Sequence, residues 1–473
     1  MDTSRFAGTC YKAANWEYLG QSKGYSRQKD GFEYHGNKKA IYVQVIDKRF
    51  KKTFKPNSKR LGKEEDITRG LSQMINGIPQ WYPSLTEKVG LTKITDEAVR
   101  QLLAEHLSPY AVHLGRKEHH AHFTAMIQGL LSDLERKSIE PIAVAFEGVN
   151  NVRVLTKFIS EAKWKHENMK KVYQAELAAM LSEEGGMITG DDTCFPKKGG
   201  NSVGVARQYC GNTGKIDNCQ SAPMIGYVSG KGYGLFGWDL YMPKSWFEDS
   251  HTGLREQCKV PEDLSFATKN ALLLNMIVSA HETGNLNAKY VGVDASYGSD
   301  AAFLDALPKD LIYFADVRKN QLVFSSRPDV NVPEYKGKGK APQKLVAATK
   351  PVTVEELAAS EAIPFQEVVL GIGAKGPIFT HDKAVRVVEV RDGLPGNDVW
   401  LYVRRLNDGS LKYTLTNAPA CSDMDEIRKP ALMRWSIEQC FKEMKTYLGM
   451  DHYETRNWTA FHRYMLLSNL SHL

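Results

Sequence analysis

Residues 185–316 limit the fold most tightly, because short apolar strand patterns there alternate with one long helical pattern. Gly-Met-Ile-Thr-Gly-Asp-Asp-Thr is a buried-type strand, Ala-Pro-Met-Ile-Gly-Tyr-Val a second, and Gly-Leu-Phe-Gly-Trp-Asp-Leu-Tyr-Met a third. The short turns between them predict an antiparallel meander. A helix is expected from about Pro261 to Thr283, with Glu262 and Asp263 in its first turn and Gly284 after its end. The strand Tyr-Val-Gly-Val then ends at Asp294, and Leu-Ile-Tyr-Phe-Ala follows.

Three antiparallel strands, a crossover helix and further parallel strands describe an α/β, ribonuclease-H-like core. Such a crossover sets the first and fourth strands side by side and brings Asp192 near Asp294. A third acid, Glu438, lies in Arg-Trp-Ser-Ile-Glu on a helix expected from about Pro430 to Leu448. Two acids at strand ends and one on a helix suit two divalent metals held against a phosphodiester. Mg2+ or Mn2+ would serve, because hard cations take oxygen ligands and need no histidine or cysteine cage. Two such ions, about 3.5 to 4 Å apart, activate an attacking oxygen and stabilise a leaving one. The first acid has an alternative in Asp191, since adjacent strand residues face opposite sides and only one of the pair can enter the site.

On the expected helix, at about 100° per residue, Glu438 lies about 40° from Arg434 and Lys445 about 20° from Glu438, so all three share a face. Taken alone, that face is a surface salt bridge.

Around this core the chain divides into further stretches. At 473 residues it exceeds one compact core and predicts about two to four domains. Residues 1–60 form a small aromatic and basic segment, and 61–117 a linker or partly helical segment. Residues 118–184 form a helical region, in which Phe123, Met126, Ile127, Leu130, Leu131 and Leu134 fall on one face. A second helix opens near Pro141, a third carries Leu155, Phe158 and Ile159, and a fourth spans about 168–182. Arg153 and Lys157 stand off the apolar stripe of the third, which makes the bundle a candidate for contact with DNA. Residues 185–317 hold the first part of the core, 318–416 a β-rich insertion with a turn at Asn407-Asp408-Gly409, and 417–473 the helices that complete the core.

Charge and cysteine usage narrow the setting. The net charge is +7, and ten Lys or Arg stand between Lys38 and Lys63 against Asp47 alone, a cluster that can track a phosphate backbone or remain a solvated loop. The seven cysteines show no CxxC spacing, so free thiols in a reducing compartment are expected. No run of 18 or more apolar residues occurs, and the N-terminus lacks a signal-peptide pattern, which places the chain in the cytoplasm, on the nucleoid when bound to DNA.

Several motifs resemble sites without the context of one. Gly232 to Gly237 and Gly371 to Gly376 fit GxGxxG, but neither opens a helix. His119, His120 and His122 precede an amphipathic helix without partner ligands, which suggests a helix-entry role. Trp400 and Tyr402 could stack on an unpaired base, although alternate strand residues more often pack on their own domain.

Three ordered blocks carry a family resemblance over about residues 118–473: Asp-Asp-Thr-Cys-Phe-Pro-Lys-Lys-Gly-Gly, Val-Asp-Ala-Ser-Tyr-Gly, and Arg-Trp-Ser-Ile-Glu-Gln-Cys-Phe-Lys-Glu-Met-Lys. They resemble the DDE transposases of bacterial insertion sequences, in particular the "seven-oh-one" group. The third block is similar to the wider signature of Tyr, Arg, Glu and Lys. The resemblance implies that Asp192, Asp294 and Glu438 ligate the metals and that Arg434 and Lys445 lie beside the DNA phosphates, with Lys197 and Lys198 as further DNA contacts. It departs from that signature at Ala431, where a tyrosine would stand. It also implies a homodimer acting on double-stranded terminal inverted repeats and target DNA, since two ends must be cut and joined. Two other readings stay open: a domesticated DNA-binding protein that has lost cleavage, and a host-defence nuclease. The latter is suggested by residues 1–57, which resemble the end of a domain of unknown function known from the Druantia anti-phage system.

Overall fold

The computed structural model describes residues 16–21, 25–28, 31–34, 40–44 and 96–473, apart from 335–341, 362, 374–375 and 407. The chain separates into two compact units, Met1–Arg69 and Gly70–Leu473. In the first, β1 (Trp16–Gln21) pairs with β4 (Ala40–Gln44), and β2 (Tyr25–Gln28) pairs with β3 (Gly31–Tyr34), both antiparallel. All ten Lys and Arg of the basic cluster between Lys38 and Lys63 lie outside the described residues.

Among its described residues the second unit begins with five α-helices: α1 (Asp96–Ala111), α2 (Lys117–Leu131), α3 (Ile139–Phe146), α4 (Val152–Ser160) and α5 (His166–Leu181). The periodic stripe of α2 turns inward as its spacing requires, with Phe123, Met126, Ile127 and Leu130 buried. Arg153 and Lys157 remain exposed on α4.

A large mixed sheet follows. Strand β5 (Gly186–Pro196) pairs antiparallel with β7 (Lys215–Ser229), which also pairs with β6 (Ala206–Cys210) and β8 (Gly232–Trp238). After helix α6 (Lys269–Glu282), β9 (Ala288–Val293) runs parallel to β5, and β10 (Ile312–Val317) runs parallel to β9. The order across the sheet is therefore β8, β7, β5, β9, β10, so the first and fourth strands of the expected core are neighbours.

Helix α6 begins later than expected. Thr268 caps it, its hydroxyl accepting from the Ala271 N–H at 3.1 Å, whereas Pro261 to Leu264 close a separate turn. Glu262 and Asp263 thus lie outside the helix.

The β-rich stretch joins the same sheet. Strands β11 (Leu322–Phe324), β12 (Val330–Asn331), β13 (Val346–Ala347), β14 (Val352–Thr353), β15 (Gln366–Gly373), β16 (Gly376–Arg391), β17 (Leu394–Arg405) and β18 (Leu411–Thr416) follow in turn. All but the β12–β13 pair extend the core sheet, because β18 zips antiparallel onto β10. Both GxGxxG segments lie on strands and their hairpin, away from any helix start.

The expected helix from Pro430 to Leu448 is two helices. Asp423 and Glu426 form a capping box that starts α7 (Met424–Met433), with Pro430 inside it, and α8 (Ser436–Leu448) begins after a tight turn at Arg434 and Trp435. Gly449, with φ of 62°, ends α8 in the left-handed conformation. Helix α9 (Trp458–His472) is buried along almost all its length and packs against α2, α4, α5 and α8. Among the described residues no helix is long and apolar enough to cross a membrane.

Candidate active site

Two layers cover the sheet, and glycines mark which face each layer takes. A Cβ at Gly190 would lie 2.8 Å from Leu273 of α6, and one at Gly226 would lie 3.6 Å from Ile437 of α8. Asp192 shares the face of Gly190 and looks toward α6, while Asp191 looks the other way.

This alternation decides which acid enters the cleft. Gly190 is in register with Val293 across the parallel β5–β9 pair, so Asp191 and Asp294 follow as neighbours on one face. A cleft of about 740 Å³ is lined by Asp191, Asp294, Asp316, Lys412, Arg434 and Glu438, together with residues of the loop after β10. Asp192 is not among them. Its carboxylate is held on the opposite face by Lys269 Nζ at 2.7 Å and by the Ser221 hydroxyl at 2.8 Å. The structure thus brings Asp191, the alternative first acid, to Asp294 and Glu438, and sets Asp192 beside Lys269 and Ser221.

The electrostatics of the cleft follow from its packing. Burial pushes the Asp191 carboxyl well above the usual carboxylate range, the neighbouring Asp294 adds to this, and Arg434 opposes it. Asp294 is raised for the same first reason, with the charge of Asp192 adding to it, against Arg434 and hydrogen bonds from the Ser296 hydroxyl at 2.7 Å and its N–H at 3.1 Å. A pair of like charges with little access to water favours a bound cation.

Arg434 organises the other side. Its Nε lies 2.8 Å from Asp316 and one Nη 2.5 Å from Glu438, while the other Nη is buried without a hydrogen-bond partner. Burial would lower its pKa, but Asp316, Glu438 and Asp191 outweigh it and hold the guanidinium charged. Its aliphatic stem rests on Gly292, where a Cβ would come within 3.1 Å of Arg434 Cβ and Cγ, so the strand passes under the side chain only without one of its own. Lys412 completes the group, 3.5 Å from Asp316 and 3.9 Å from Glu438.

Asp316 and Lys412 were not anticipated. Asp316 lies one residue before the end of β10 and Asp294 one residue past the end of β9, so an acid near the end of a second apolar strand is a signal the sequence did carry. Lys412 comes from β18 and is brought in only by its pairing with β10.

Other expected contacts fall elsewhere. Lys445 does not line the cleft, although the charge of Asp191 reaches it; it donates to Asn212 Oδ1 at 3.1 Å beside the Phe195 ring, and burial lowers its pKa. Lys197 donates to the Tyr453 carbonyl at 2.8 Å and lies over that ring, burial holding it down to about 8, while Lys198 is exposed. Trp400 and Tyr402 pack inward, the indole donating to the Pro419 carbonyl at 3.0 Å and the phenol to Asp382 at 2.9 Å. His119 and His122 are held by the Leu114 carbonyl and Glu147.

Beside the acidic cleft lies a second one of about 780 Å³, which shares Lys412 and Glu438 with it and adds Arg404, Arg405, Phe379 and Trp435. Trp435 is 51% and Phe379 48% exposed, so aromatic faces and cations line this groove together.

Comparison with known proteins bears on the family of the chain. A family model described as DDE superfamily endonuclease matches residues 109–394. The chain is 29% identical over 198 residues to the "Probable transposase for insertion sequence element IS701" of Microchaete diplosiphon; the match takes in 41% of this chain and about half, 48%, of that relative. The NurA nuclease of Sulfolobus solfataricus shares 10% identity with a TM-score of 0.23 over 61% of this chain and 86% of its own, a likeness too slight to bear on the fold. Because the family match takes in more than half of the chain, including both strands of the aspartate pair, the chain belongs to the DDE superfamily endonucleases.

Proposed function

We propose that this chain is a DNA transposase that cuts and joins the ends of an insertion sequence, using a ribonuclease-H-like core with Asp191, Asp294 and Glu438 as its catalytic acids. The observation that carries this reading is one cleft lined by Asp191 and Asp294, which directly follow the register pair Gly190–Val293 of two parallel strands, together with Glu438 and Arg434. The strand order and the family membership support it.

The donor set fits divalent metal ions. Asp191, Asp294 and Glu438 offer carboxylate oxygens, which hard ions such as Mg2+ prefer, and the raised carboxyls of the aspartate pair mark negative charge in need of a counter-charge. When bound, two such ions would activate the attacking oxygen and stabilise the leaving one, so that the same residues serve hydrolysis and strand transfer. Glu438 is engaged by Arg434 and Lys412, and those cations are placed to pass from the carboxylate to a phosphate as DNA enters. Arg434, with its unpartnered Nη, orients the scissile phosphate in this scheme.

The neighbouring groove offers a path for the strand. Arg404, Arg405 and Lys412 can follow phosphates, and Trp435 or Phe379 can stack on an exposed base at about 1–3 kcal/mol per stack. Two copies acting on two ends account for paired cleavage.

The test is a cleavage assay with Mg2+ on duplexes carrying the inverted repeats that flank the gene, comparing wild type with D191N, D192N and E438Q. Loss of cutting in D191N and E438Q, with D192N active, is expected. Cutting by E438Q at the wild-type rate sinks the proposal. Cutting that ignores the repeats favours a host-defence nuclease. A protein–DNA complex whose mass holds one protomer on two ends rules out the dimer.

A further inference from the structure

We propose that Cys194, Cys210 and Cys219 form a binding site for a single zinc ion, separate from the acidic cleft, which ties strand β5 to the β6–β7 hairpin. The three come from three strands and share no ligand spacing in sequence, yet their Sγ atoms all lie within 4.8 Å of one another. Among the described residues they are the group of three ligand-type side chains drawn that close. Zinc bound to thiolates at about 2.3 Å sets sulfurs about 3.8 Å apart in a tetrahedron, so the cluster needs only a small contraction.

Two observations favour a ligand over plain packing. Buried cysteines that act as small hydrophobes interleave with aliphatic carbon, whereas these three, all 5% exposed or less, form a cluster of their own apart from the main core. Burial raises the Cys194 and Cys219 thiols, and Asp192 adds to this at Cys194, so without a metal they keep their protons, but two cations stand nearby. Lys445 lies close enough for its charge to act on Cys194 and Cys210, and Lys269 acts on Cys194. Zinc displaces three thiol protons on binding, leaving a centre of net charge −1 for those lysines to offset.

An oxygen completes the coordination. The Ser221 hydroxyl and the Tyr209 carbonyl each lie 3.8 Å from Cys194 Sγ. Thiolates select a borderline-soft ion such as zinc, while the carboxylates of the cleft select a hard one, so the chain would hold two metal classes without exchange. Because Cys194 lies on the same strand as Asp191, the ion would brace the segment that presents that acid.

The experiment uses the full chain, purified under reducing conditions without chelator. Elemental analysis is expected to find one zinc per chain, and Co2+ added after its removal should give a thiolate-to-cobalt charge-transfer band. C210S and C219S should lose that band. C421S, at an exposed thiol outside the cluster, should keep it, as should D191N and E438Q, which separates this site from the cleft. If the cluster variants do not fold, alkylation of the wild type decides: Cys194, Cys210 and Cys219 should react faster once a chelator is added, while the buried Cys258 and Cys440 do not change. A fully reduced wild-type chain without zinc and without the cobalt band overturns the proposal, as does protection that mass spectrometry traces to a disulfide.

Discussion

Two buried arginines, each 3–4% exposed, solve the same problem in opposite ways. Arg434 lies in the cleft among Asp316, Glu438 and Asp191, and those acids keep its charge despite burial. Arg463, on α9, meets no acid: it donates to the carbonyls of Phe158, Ile159, Ala162 and Trp164 at 2.6–3.3 Å, and burial draws its pKa down to about 10. Those carbonyls cluster at the C-terminal end of α4, where partial negative charge suits a cation. The first arrangement keeps full charges beside an opening and can exchange partners with an anionic substrate. The second closes orphan carbonyls and has nothing to exchange.

The sharpest way to break this contrast is at the acids. D191N, D294N and E438Q should each lower Mg2+-dependent DNA cleavage by at least about 10³-fold, since a lost metal contact is worth several kcal/mol. The urea midpoints of D191N and D294N should hold or rise, because burial disfavours both charges, whereas that of E438Q should fall, because it leaves the buried Arg434 with one acid fewer. On the other side, R463M should cost about 2–3 kcal/mol of stability by urea unfolding, while cleavage well below the midpoint stays as in wild type. Loss of cleavage in folded R463M would erase the distinction between the two regions.

A pH measurement sharpens the α9 side. Burial holds His462 neutral, with its pKa lowered from 6.5 to about 3. The unfolded chain therefore takes up a proton below about pH 6.5 that the folded chain refuses. Stability is full above that value and should fall by about 1.4 kcal/mol per pH unit as pH drops toward 3. H462Q should flatten that slope; an unchanged slope would move the titration elsewhere. The smallest effect is expected at D192N, which loses its ion pair with the partly exposed Lys269: about 1 kcal/mol of stability and less than tenfold in cleavage.

Much of the catalytic half was legible because it is written locally. The strand ending at Asp294 and the meander after Gly186 follow from runs of apolar residues, and the stripe of α2 from its period. Where several signals compete, the reading failed. Pro261, Glu262 and Asp263 imitate a helix start, but Thr268 supplies the cap. The single helix drawn through Arg434 and Glu438 is two, since Asp423 and Glu426 start the first one early and the chain turns before the second. Arg434 still reaches Glu438 because the turn keeps them close, whereas Lys445, one helix length on, faces the β6–β7 hairpin.

The sequence by itself determined the acids, their strands and the likeness to a family, since residue type and local period need no partner to be read. Only the tertiary structure sets Asp191 and Asp192 on different faces of β5, one in the cleft and one beside α6. The two are adjacent and chemically identical, and only the register of β5 against β9 and the packing of α6 and α8 on opposite faces separate them. The same holds for Asp316, Lys412 and the three thiols, which meet through pairings between strands far apart in the chain. Such pairings depend on which strand lies beside which, and no local pattern records that.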